Sequence, residues 1–193
     1  MGKIWLTSDL HFGHDRMFVW GVRGYSSVEE MNEAQVEKWN AQADDEDDIY
    51  VLGDFMLGDK SNIKYIERLK GNIHIVYGNH DTDARKGLYG ALPHVVETAH
   101  AIALKYKKHN FFMTHYPCLT GNLDDDKPLI TRVINLCGHN HTINRFQDMD
   151  KGLIYHCEAD AHSELLVSLD DIIVELYDWV KNNKTSTQTF NKV

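Results

Sequence analysis

The 193-residue sequence carries 42% hydrophobic and 25% charged residues, which excludes a disordered chain and suits one domain with a sizeable core. Its net charge of −9, histidines counted neutral, argues against non-specific binding of nucleic acid, although bound divalent cations would offset that acidity locally. Three dispersed cysteines without a C-x-x-C pair, no signal-like start and no long apolar run exclude a disulfide framework and predict a cytoplasmic protein with no membrane contact.

Residues 3–8 (KIWLTS) read as a short strand that runs straight into polar residues 9–15. Residues 26–43 read as a helix. Ser27 is placed to cap it with Glu30 three residues on, and Met31, Ala34, Val36 and Trp39 form an imperfect apolar stripe. The acidic run at 44–48 reads as a solvated turn, since it lacks the spacing and central glycine of a calcium loop. A second strand is expected over 49–52, a second helix over 62–70 stopped by Gly71, and a third strand over 73–77. A short helix is expected within 82–92, then strands over 95–106 and 110–114, with the basic cluster at 105–108 as the hairpin turn. Strands over 131–137 and 153–157 follow, the second being the last expected. Ser168 would cap a final helix reaching about Lys181, and 183–193 would be a flexible tail to a single domain over 1–182. This order predicts a mixed α/β sandwich of two packed sheets with helices outside. Pairing should be parallel early and antiparallel in the later hairpins.

Histidine is abundant, with 12 residues, and it is the commonest metal ligand. Five of the expected strands deliver metal-capable side chains just past their ends: Asp9 and His11, then Asp54, then Asn79 and His80, then His115, then His139 and His141. Loops at strand ends are free to converge while the sheet holds them rigid. Gly53, Gly78 and Gly138 precede three of these groups and allow a sharp exit from the strand. One such motif alone says little; all five in this order point to one metal pocket.

Taken together, Asp9-Leu10-His11, Gly53-Asp54, Gly78-Asn79-His80-Asp81, His115 and Gly138-His139-Asn140-His141 resemble the calcineurin-like metallophosphoesterase family over about residues 3–142. Within it, the stretches SDLHFGH, VLGDF, THYP and VSLDDI are similar to a small group from bacteria and phages, while Tyr77 and residues 156–158 depart from that group. The resemblance implies a four-layer α-β-β-α sandwich with a dinuclear site. Asp9, His11 and His141 would hold one divalent metal, Asn79, His115 and His139 the other, and Asp54 would bridge both. It implies hydrolysis of a phosphomonoester or phosphodiester by attack of a metal-bridging hydroxide. His80 resembles the family's catalytic histidine, which stabilises the transition state or protonates the leaving oxygen; Asp81 would orient it or raise its pKa.

A thiol-free set of Asp, His and Asn suits Mn²⁺, Fe²⁺ or Zn²⁺, with Mn²⁺ favoured. His14, Arg23 and Tyr116 are candidates for substrate contact. His74, His94, His100 and His109 read as ordinary surface or strand residues, and Trp5, Trp39 and Trp179 as core. The substrate is expected to be a small phosphate ester, nucleotides among the candidates, because the 20 basic residues are dispersed and no groove for a polymer is visible. The alternative is a metal-dependent nuclease acting on DNA or RNA, which would need a Lys/Arg track around the same metal core. No obligate protein partner is implied, and the sequence leaves the oligomeric state open.

Overall fold

The computed structural model describes residues 2–122 and 127–187. The chain begins with strand β1 (Ile4–Thr7), the short helix α1 (Met17–Trp20), helix α2 (Val28–Gln42), strand β2 (Asp48–Leu52), helix α3 (Ile63–Ile66) and strand β3 (Asn72–Val76). Helix α4 (Asp83–Tyr89) and strands β4 (Val95–Ala99), β5 (Ala101–Tyr106), β6 (His109–Thr114) and β7 (Val133–Cys137) follow. Strands β8 (Phe146–Gln147), β9 (Ile154–His156) and β10 (Val167–Ser168) lead into helix α5 (Leu169–Thr187). Residues 188–193 of the expected tail lie outside the described residues.

Two mixed five-stranded sheets result, ordered β10-β1-β2-β3-β4 and β5-β6-β7-β9-β8, and helices flank them. Strand alternation decides which residues go where. Leu6, Tyr50, Leu52 and Val76 turn inward and share a cluster with Ile102, Phe111, Met113, Ile134 and Leu136 of the second sheet. Ile49, Val51, Ile73 and Ile75, one step out of phase, pack with Val36 and Trp39 of α2 and Ile66 of α3. Leu169, Ile172 and Leu176 of α5 join the inter-sheet cluster.

Ser27 caps α2 as expected, accepting the Glu30 N–H at 3.1 Å. The Glu30 carboxylate reaches back one residue further than a capping box requires, to the Ser26 N–H at 2.7 Å. Asp47 corrects the reading of the acidic run as a solvated turn. It is buried and accepts the Lys3 N–H at 2.7 Å and the Trp5 indole N–H at 2.8 Å, so it fastens β1 to the turn before β2.

Other departures have physical causes. The single strand expected over 95–106 is two strands that bend at His100 and belong to different sheets, so this apolar run is a crossover. The second sheet is less antiparallel than its hairpins suggest: β5–β6 and β8–β9 are antiparallel, but β6–β7 and β7–β9 are parallel. Strand β9 is not the last. Two-residue β10 pairs antiparallel with β1 and is too short to carry an alternation signal. The helix expected over 62–70 narrows to Ile63–Ile66 after a 3₁₀ turn, and α1 falls in a stretch without helical periodicity.

Candidate metal centre

Strands β1, β2 and β3 are parallel neighbours, so the residues that follow them emerge at one edge of the first sheet. Strands β6 and β7 do the same in the second sheet. The backbone there is unusual. Asp9, His11, Asp54, His139 and His141 all have positive φ, between 47° and 80°. Non-glycine residues rarely hold this conformation, and each instance costs on the order of 1 kcal/mol. Five instances on five candidate ligands mark a region shaped for something other than stability. Glycine at 138 is obligatory for close approach, because a Cβ there would overlap Ser8 Oγ and Asp9 Oδ2.

Asp9 is fully buried and its two oxygens differ. Oδ2 accepts the Ser8 hydroxyl at 2.6 Å and the His139 N–H at 2.9 Å. Oδ1 is buried without a hydrogen-bond partner. It lies 3.8 Å from His11 Nε2 and 3.7 Å from His141 Nε2, and those two nitrogens are 3.0 Å apart. These separations bracket the edge of about 3.4 Å for a tetrahedron drawn with bonds of about 2.1 Å. Burial pushes the Asp9 carboxyl up to about 6. Burial, then repulsion from His141 and Arg23, drives His11 down to about 2, which keeps the imidazole in its neutral, ligating form.

Asp54 repeats the pattern. Its Oδ1 accepts the His80 N–H at 2.9 Å, while Oδ2 lies 3.6 Å from His115 Nε2. His115 Nδ1 faces the Leu52 carbonyl at 2.8 Å and donates to it, so Nε2 carries a lone pair. That nitrogen points at Asn79 Oδ1, 2.8 Å away, and His139 Nδ1 reaches the same oxygen at 3.0 Å. Asp9, His11 and His141 form one group able to hold a cation, and Asp9, Asp54 and His115 form a second. The orphaned buried oxygen of Asp9 and the converging side-chain nitrogens and oxygens fit a cation-binding site. Asp9 is common to both groups, although Asp54 is the residue expected to bridge.

His80 lines the pocket with its ring exposed and Nε2 3.9 Å from Asp54 Oδ2. Asp81 does not touch that ring, which corrects its expected role. It is buried, its Oδ2 accepts the Gly78 and Asp54 N–H groups at 2.7 and 3.1 Å, and its Oδ1 accepts the Tyr89 hydroxyl at 2.8 Å. Asp81 therefore ties the Asp54 loop to the turn that carries Asn79 and His80. Arg85 supports the same turn by donating to the His80 carbonyl.

Arg23 is also corrected. Its guanidinium is spent on Asp160, at 2.8 and 2.9 Å, and on the Asp9 and Leu10 carbonyls at 2.7 and 3.1 Å. It braces the first ligand loop rather than waiting for phosphate. Asp160 went unnoticed in the sequence. It accepts the His141 Nδ1–H at 2.8 Å, which turns Nε2 toward His11. Burial would raise the Asp160 carboxyl, but the bonds from His141 and Arg23 outweigh burial and hold it below the usual carboxylate range. The same bond leads the causes that raise His141. The only sequence signal was an acidic residue two past Glu158, beyond β9 and just after the stretch that departs from the bacterial and phage group.

His14 is near the centre, with its ring 5.3 Å from that of His11 and 6.5 Å from that of His80, and it lines the adjoining cavity. Tyr116 is half-exposed and packs edge-on against His139 at 4.6 Å. His156 is buried between Glu158 and Gln147, at 3.0 and 2.9 Å. His109 is a buried residue of strand β6, in line with its reading as a surface or strand residue, and meets the Tyr177 hydroxyl. Trp39 is core as expected. All three cysteines are free, and among the described residues no helix is long and apolar enough to cross a membrane.

The sequence profile of the calcineurin-like phosphoesterase superfamily domain matches residues 3–165. An uncharacterised protein of Methanocaldococcus jannaschii is 33% identical over 144 residues, covering 73% of this chain and 70% of its own. Among solved structures, a protein of unknown function from Aquifex aeolicus superposes with a TM-score of 0.63 at 16% identity, covering 89% of this chain and 98% of its own. A structure described as a novel archaeal phosphodiesterase superposes with a TM-score of 0.50 at 21% identity, covering 83% of this chain and 87% of its own.

Proposed function

Because the chain belongs to the calcineurin-like phosphoesterase superfamily, we propose that it hydrolyses a small or nucleotide-like phosphate ester with the help of two divalent cations, Mn²⁺ favoured. One observation carries the reading: Asp9 Oδ1 is buried without a donor and stands between the lone pairs of His11 and His141. Nothing among the described residues satisfies that oxygen, and leaving it so costs free energy that a cation would recover.

In this reading Asp9, His11 and His141 hold one cation, Asn79, His115 and His139 hold the other, and Asp54 is shared. When bound, the cations would activate water for in-line attack and neutralise charge developing on the phosphoryl oxygens. Neutral imidazoles and the Asn79 amide add no negative charge that would repel phosphate. His80 is held by its own N–H on Asp54, and its exposed ring is proposed to hydrogen-bond the phosphoryl group and pass a proton to the leaving oxygen. Asp81 and Arg23 are proposed to act instead as positioning residues, through the bonds that fix the Asp54 and Asp9 loops. His14 and Tyr116 remain proposed contacts at the rim. Against a nuclease reading, the described residues of the adjoining cavity offer no basic track: Arg23 is paired with Asp160, and Lys38 is bonded to the Tyr25 hydroxyl.

We further propose that residues 1–182 act as one catalytic unit. The free thiols suit a reducing, cytoplasmic location. The test is a hydrolysis screen of mono- and diesters with the chain stripped of metal and reloaded with Mn²⁺, Fe²⁺ or Zn²⁺. Turnover only in the reloaded samples is expected. Equal turnover in a strong chelator would overturn the metal-dependent reading.

A further inference from the structure

A cavity of about 870 Å³ opens beside the metal centre, within the range of about 300–1,000 Å³ typical of pockets that enclose small molecules. His11, His14, His80 and His141 line its inner end. His80 is the residue proposed to face the leaving oxygen, so this cavity is where a leaving group would go.

Its walls are largely apolar. Phe18, Val22 and Ile143 are 70%, 84% and 81% exposed, and Leu165 closes the wall behind them. Apolar side chains left this open around a concavity favour a ligand that covers them. A polyol phosphate would lose hydration on its hydroxyl groups against such walls without replacing it.

Away from the histidines of the inner end, the wall carries a polar group that is unmet among the described residues. Gln35 on α2 lines the cavity, is 2% exposed, and its side-chain nitrogen has no hydrogen-bond partner. A buried amide without a partner is destabilising, and a ligand acceptor would remove that cost. An alkyl chain would fill the space and leave the amide unmet. A heteroaromatic ring offers both a flat apolar face and acceptor atoms at its edge. Phe18, edge-on to His14 at 5.8 Å, has its exposed ring free to stack on such a face.

We infer that this cavity is a leaving-group pocket for a nucleoside-sized, heteroaromatic alcohol, with Gln35 reading an acceptor on its ring. The inference rests on the phosphoesterase reading and narrows its substrate to a nucleotide ester. In the cavity Arg23 is paired with Asp160 and Lys38 is bonded to the Tyr25 hydroxyl, so it offers no run of free cations to a polyanion and suits one monomeric ligand.

The test is calorimetric binding to the full chain in chelator, where turnover plays no part. The probes are the four ribonucleoside 5′-monophosphates, ethyl phosphate, octyl phosphate and a short single-stranded oligonucleotide. At least one nucleotide should bind tenfold or more tightly than ethyl and octyl phosphate. Phe18→Ala and Gln35→Leu should each remove most of that preference. Gln35→Leu should also leave the melting temperature unchanged or raise it, because it deletes an unmet amide. Equal affinity for ethyl phosphate, or octyl phosphate binding as well as the nucleotides, would overturn the pocket. So would tighter binding of the oligonucleotide, or variants without effect. A parallel Mn²⁺ hydrolysis assay separates the two claims. Selective binding without hydrolysis sinks the phosphoesterase reading alone, and hydrolysis without selective binding sinks the pocket alone.

Discussion

His141 donates its Nδ1–H to the Asp160 carboxylate at 2.8 Å, and this one bond decides which nitrogen the ring offers to His11 and Asp9. Asp160 cannot rotate away, because Arg23 grips both of its oxygens. Asp160→Asn should keep the shape and lose the charge. It is expected to weaken Mn²⁺ binding about 10- to 100-fold, the usual cost of losing a carboxylate behind a ligating histidine. Calorimetric titration with Mn²⁺ reads this directly, and wild-type affinity in the variant would show that Asp160 does not tune His141.

The two central carboxylates can be told apart by stoichiometry. Asp54→Asn should bind at most one Mn²⁺ tightly if Asp54 is the shared ligand. Asp9 belongs to both candidate groups, so Asp9→Asn should be at least as damaging. Elemental analysis after dialysis gives the count, and two tightly held ions in Asp54→Asn would move the bridging role to Asp9.

His80→Ala should keep both cations, since the backbone N–H that holds Asp54 is retained. Turnover should fall about 10²- to 10⁴-fold, the range for losing a positioned proton donor. Metal content and rate are measured on the same sample; a normal rate would take His80 out of the mechanism.

Gly138→Ala would push a methyl group into Ser8 Oγ and Asp9 Oδ2. Overpacking of this kind costs about 2 kcal/mol, or roughly 4–8 °C of melting temperature in a chain of this size. Asp9 has the least room to yield, so Mn²⁺ affinity should fall with it. A variant that melts and binds like the parent would mean the loop relaxes freely.

Cation binding should stabilise the fold by mass action. At a free Mn²⁺ concentration about 100 times the dissociation constant, the gain is about 2.7 kcal/mol per site. Thermal melts with and without Mn²⁺ should therefore separate by several degrees, and Asp9→Asn should close the gap.

The candidate ligands were legible because each sits just after an apolar strand, where fold geometry leaves little choice of direction. Asp160 was not, because it follows short β9 in a stretch without a motif, and its partner Arg23 lies far away in sequence. Arg23 and Asp81 were noticed but misread: a charged residue beside a motif looks the same whether it meets substrate or braces a loop. Gln35 sat on the buried face of α2 and carried no signal until its unmet amide was seen beside a cavity. The strand over 95–106 was read as continuous because both halves have the same residue character, and only packing shows that they part at His100.

That parting has a consequence for how the protein comes into being. Asp9, His11 and Asp54 follow strands β1 and β2 of the first sheet, before residue 100, while His115 and His141 follow strands β6 and β7 of the second sheet, after it. Neither candidate triad is complete in one half, so a partly synthesised chain has no grip on an ion. A cation held by either triad would have to wait until the second sheet docks, and would then be a certificate of finished assembly.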